Sequence, residues 1–76
     1  MLSRKLEDNI IVYPNPVEET ININKNVDIT IYNILGDMII SKTNTNILDV
    51  SNLKSGIYNL QIMCNNRIVN KTIIKK

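Results

Sequence analysis

The side chains that usually do chemistry in proteins are scarce in this chain, and their spacing keeps them apart. None of its 76 residues is histidine, which removes the commonest general base and the commonest metal ligand. Its one cysteine, Cys64, therefore has no imidazole to form a nucleophile–base pair. Glu18 and Glu19 are adjacent carboxylates, but neighbours on an extended chain point to opposite sides and do not share a proton. Asp28, Asp37 and Asp49 fall on predicted turns and outward faces. The only two glycines, Gly36 and Gly56, stand twenty positions apart, too few and too separate for a phosphate-cradling loop. Calcium-loop spacing is missing too. The expectation is a protein that is not an enzyme and has no cofactor and no metal site.

The elements around these residues read as strands. Fifteen isoleucines and no alanine favour a pleated surface over a helix, and thirteen asparagines supply turns. Apolar residues alternate with polar ones at a period of two, and no segment sustains a period of 3.6. Short strands are predicted over residues 10–13, 20–24, 27–33, 38–42, 47–50, 56–64 and 67–74. Pro14 and Pro16 each lack an N–H and so end the first. Gly36 turns the chain between the third and fourth. Asn65-Asn66 forms a two-residue hairpin turn before the last. On residues 56–64 Tyr58, Leu60, Ile62 and Cys64 share one face, which places Cys64 in the core as an inert thiol. With no second cysteine there is no internal disulfide.

Leu53, Gly56 and Tyr58 form the most informative local pattern. An apolar anchor, a turning glycine and a tyrosine opening the next strand match a tyrosine corner, in which the phenol hydroxyl bonds to backbone a few residues upstream. Together with the strand count, this predicts an all-β, seven-stranded antiparallel immunoglobulin-like Greek-key β-sandwich over residues 10–76. Residues 1–9 read as a linker remnant.

The net charge of +2 is too small and too evenly spread for nucleic-acid binding; only Lys71, Lys75 and Lys76 make a locally basic stretch. No apolar run approaches the ~20 residues of a membrane span, and residues 1–9 carry no apolar signal-peptide core, so an export signal of that kind would lie upstream. A carbohydrate-binding or adhesion module is the alternative reading, but sugar platforms use exposed aromatics and only Tyr13, Tyr32 and Tyr58 are available.

Four blocks occur in order: Tyr13-Pro14-Asn15-Pro16; Ile31-Tyr32-Asn33 running to Leu35-Gly36; Leu53-x-x-Gly56-x-Tyr58; and Lys71-Thr72-Ile73-Ile74-Lys75-Lys76. The chain resembles the type A C-terminal sorting domains of the type IX secretion system of Bacteroidetes, and the resemblance covers about residues 10–76, nearly the whole chain. It departs from them in carrying Asp37 where lysine is more usual and in lacking glycine at Asn65-Asn66. The resemblance implies an export address. Its partners would be an outer-membrane translocon, a shuttle protein and a sortase, with a passenger covalently attached on the N-terminal side. The protein would be periplasmic in transit, then at the cell surface or extracellular, and the sortase would cut the domain away. The residues expected to meet the translocon are Pro14, Asn15, Pro16, Lys71, Lys75 and Lys76.

Overall fold

In the computed structural model residues 10–76 are described, so the linker expected over residues 1–9 lies outside the described residues. Five strands follow one another: β1 (Val12–Tyr13), β2 (Thr20–Tyr32), β3 (Met38–Asp49), β4 (Gly56–Cys64) and β5 (Arg67–Lys75). Alternation explains the two strands that carry most of the core. On β2, Ile21, Ile23, Val27, Ile29 and Ile31 are buried, and on β4 Tyr58, Leu60, Ile62 and Cys64 are buried. Their intervening neighbours Asn24, Asn26, Asp28, Asn59 and Gln61 face solvent.

β2 is the hub. It pairs antiparallel with β1, β3 and β4, and β4 pairs antiparallel with β5. β3 follows one edge of β2 along most of its length. The opposite edge is shared, with β1 at Asn22–Ile23 and β4 from Asp28 to Tyr32.

The seven strands expected of an immunoglobulin-like sandwich are five in the structure, and the sheet is a curled half-barrel. Residues 20–24 and 27–33 join through Lys25 and Asn26, and 38–42 and 47–50 join through residues 43–46. The ladder bends there instead of breaking. Its register shifts between Asn22 and Val27 and again before Ile29, and Asn44 adopts φ 50°. A bulge of this kind leaves a backbone donor without its ladder partner. The Asp28 carboxylate takes that donor, accepting from the Asn44 N–H at 2.8 Å. Both halves of β2 can then face a common core.

The curl is closed from the N-terminal side. Val17 forms a parallel bridge with Lys75: its N–H donates to the Ile74 carbonyl and its carbonyl accepts from the Lys76 N–H, both at 2.8 Å. Val17, Ile21, Ile29, Ile31, Leu60, Ile62 and Ile73 are fully buried. Each such side chain is worth about 1.5–3 kcal/mol relative to exposure, before the entropy of ordering it. The Cys64 thiol is free and buried.

Candidate recognition site

The first sequence block becomes a corner. Both proline peptide bonds, Tyr13–Pro14 and Asn15–Pro16, are cis. Between the prolines, the Asn15 carboxamide reaches β5 at two points. Its Nδ2 donates to the Thr72 carbonyl at 3.2 Å, and its Oδ1 accepts from the Ile74 N–H at 2.9 Å. With the Val17 bridge, residues 15–17 cover the outer edge of β5 from Thr72 to Lys76.

This arrangement gathers some of the predicted recognition residues and separates others. Pro14, Pro16 and Lys76 line one open cavity of about 550 Å³, together with Glu18, Glu19 and Thr20. Lys71 is exposed but stands opposite Leu60 in the β4–β5 ladder, five positions from Lys76 and about 16 Å away along the strand. Lys75 is only 7% exposed, and its Nζ donates to the Lys76 carbonyl at 2.9 Å. Its stem packs inward because it follows the alternation of Ile73. Asn15 has both polar ends of its side chain occupied within the fold.

The structural residues hold two other turns. Tyr58 donates from its hydroxyl to the Lys54 carbonyl at 2.7 Å, Leu53 packs against the core, and Gly56 adopts φ 153°. Gly36 adopts φ 91° at the β2–β3 hairpin. There Asn33 acts as a clasp that composition alone does not reveal. Its Oδ1 accepts from the Leu35 and Asp37 N–H groups at 2.9 and 3.0 Å, while its backbone bonds Gly36 and Asp37. An asparagine three residues before a glycine is the sequence signal for such a turn. The clasp leaves Ile34 and Leu35 exposed at 75% and 81%, the largest exposures of any large apolar side chain among the described residues.

A similar local bond sets the electrostatics of the β3 exit. The Ser51 N–H donates to Asp49 Oδ1 at 2.9 Å. That backbone bond, and then the Ser51 hydroxyl, hold the Asp49 carboxyl below its ordinary value of 3.8.

Among the described residues no group of three or more His, Cys, Asp or Glu side chains gathers closely enough to hold a metal ion. No helix among them is long and apolar enough to cross a membrane. Tyr58 is buried, which leaves Tyr13 and Tyr32 as the tyrosines with open ring surface.

Fold and site together define a small β module that presents a proline corner, basic residues and a clasped hairpin tip. The chain belongs to the secretion system C-terminal sorting domain family, whose model matches residues 11–76. The family is one of sorting signals and not of catalysts, so the protein's role is that of a secretion and sorting signal bound for the cell surface or beyond. Comparison with curated proteins finds no significant match.

Proposed function

We propose that this protein directs an attached passenger across the outer membrane through the type IX secretion system and is then removed by a sortase. The observation that carries this reading is the family match over residues 11–76, nearly the whole chain. The partners are the translocon, its shuttle protein and the sortase; the sortase chemistry belongs to the partner. The passenger lies on the N-terminal side, joined through residues 1–9 to the sorting domain of residues 10–76, and travels through the periplasm to the surface or the medium.

For recognition, the exposed parts of the expected set carry the proposal: Pro14, Pro16 and Lys76 as one neighbourhood, and Lys71 further along β5. Lys75 contributes from within, and Asn15, exposed between the prolines, is bonded to β5. The outer edge of β5 is covered from Thr72 onward, which leaves the stretch at residues 68–70 for pairing with a strand of the machinery.

The test is a fluorescent reporter carrying an inner-membrane export signal at its N-terminus and this 76-residue chain at its C-terminus, expressed in a host with a type IX system. Fluorescence should reach the medium or the cell surface, and deleting residues 72–76 should hold it in the periplasm. Normal secretion of the truncated fusion would refute the role of the last strand. Retention of the intact fusion would refute the sorting function itself.

A further inference from the structure

The Asn15 carboxamide does the work of a backbone rung. In a parallel ladder, one residue donates its N–H to the residue before its partner and accepts from the residue after it. Val17 does this with its backbone around Lys75, bonding the Ile74 carbonyl and the Lys76 N–H. Asn15 repeats the pattern two residues earlier on both strands, but with its side chain: Nδ2 to the Thr72 carbonyl, Oδ1 from the Ile74 N–H. The ladder thus gains a second rung, made by a side chain. A carboxamide, with a donor and an acceptor on one planar group, supplies both bonds of such a rung; a carboxylate supplies only the acceptor and a methyl neither.

This rung fixes the relation between two blocks that lie 57 to 59 positions apart in the sequence. Without it, Pro14 and Pro16 are joined to the end of β5 only through Val17. With it, the proline corner and Lys76 share one surface.

We infer that Asn15 is a positioning residue for export: it holds the end of β5 against the proline corner, and the secretion machinery reads corner and strand end as one surface. The inference rests on the sorting function proposed above. A partner that read the last residues as a loose peptide would not need the rung; a partner that reads a composite surface does. Asn15 acts through β5, to which one N–H and the oxygen of its carboxamide are bonded.

The experiment pairs amide hydrogen exchange with the reporter fusion, using the whole chain in both. Asn15→Ala removes the rung, whereas Asn15→Asp loses the donor facing the Thr72 carbonyl and keeps the acceptor for the Ile74 N–H. Asn15→Ala should speed exchange of the Ile74 amide by tenfold or more, with smaller effects at Lys76 and wild-type protection in β2 and β4. Secretion should fall at least fivefold. The comparison variant is Ile62→Val, which loosens the core away from the corner; it should leave Ile74 protected and secretion near wild type. An Ile74 amide still protected in Asn15→Ala would overturn the rung. Fast exchange at Ile74 with undiminished secretion would overturn the composite surface, as would an equal loss of secretion in Ile62→Val. A wild-type fusion that stays in the periplasm would instead mark failure of the sorting function, whatever the exchange data show.

Discussion

The Tyr58 hydroxyl donates to the Lys54 carbonyl across 2.7 Å, tying the start of β4 to the chain that leads into it. Tyr58→Phe keeps the ring in the core and removes only the donor, so a partly buried carbonyl loses its partner. The cost is about 1–2 kcal/mol. Urea unfolding should show a lower midpoint with an unchanged slope.

The β2–β3 bulge gives a second prediction. Asn44 stands at φ 50°, where a side chain with a branched β-carbon is strained by about 1–2 kcal/mol relative to glycine. Asn44→Val should therefore destabilise the protein, and Asn44→Gly should be close to neutral. Asp28→Ala should speed exchange of the Asn44 amide, because that N–H donates to the Asp28 carboxylate.

The β4–β5 turn gives a prediction of opposite sign. Asn65 and Asn66 both adopt positive φ, 53° and 63°. Asparagine tolerates that region and glycine favours it, so Asn66→Gly should stabilise the hairpin by roughly 0.5–1 kcal/mol in the same unfolding assay.

Burial separates two isoleucines on one strand. Ile62 is fully buried and Ile57 is 52% exposed. Ile62→Ala should cost about 2–5 kcal/mol, a large part of the ~5–15 kcal/mol available to a domain. Ile57→Ala should stay within about 0.5 kcal/mol of wild type. Parallel denaturant titrations read both.

Asp49 gives the pH dependence. Its folded-state carboxyl lies below 3.8 because Ser51 bonds the ionised form. The stabilisation it adds is complete above its unfolded value, near pH 4, and is lost as pH falls through the lower folded value. Carbon-detected NMR titration should give Asp49 a midpoint below 3.8, and Ser51→Pro, which removes the backbone donor, should raise it.

What could be read from the sequence was what local spacing decides. The faces of β4 follow from alternation over nine residues, and the Tyr58 corner from a glycine and a tyrosine two positions apart. The strand count could not be read this way. Lys25-Asn26 and residues 43–46 look like turns, and the bend that keeps them in the ladder depends on Asp28 reaching Asn44, sixteen positions away. Asn15 looked like a turn residue between prolines, since nothing nearby in sequence announces Thr72 or Ile74. Lys75 looked like a solvated tail charge, but its place in the alternation of β5 turns its stem inward.

The pairing of Asn15 with β5 also orders events in time. A ribosome delivers Asn15 57 residues before Thr72, so the closing rung of the half-barrel waits for residues made much later. A chain halted before Thr72 keeps an open seam between the proline corner and β4. The seam closes only when translation has passed through residues 72–76, so the finished shape itself certifies that these residues have been made.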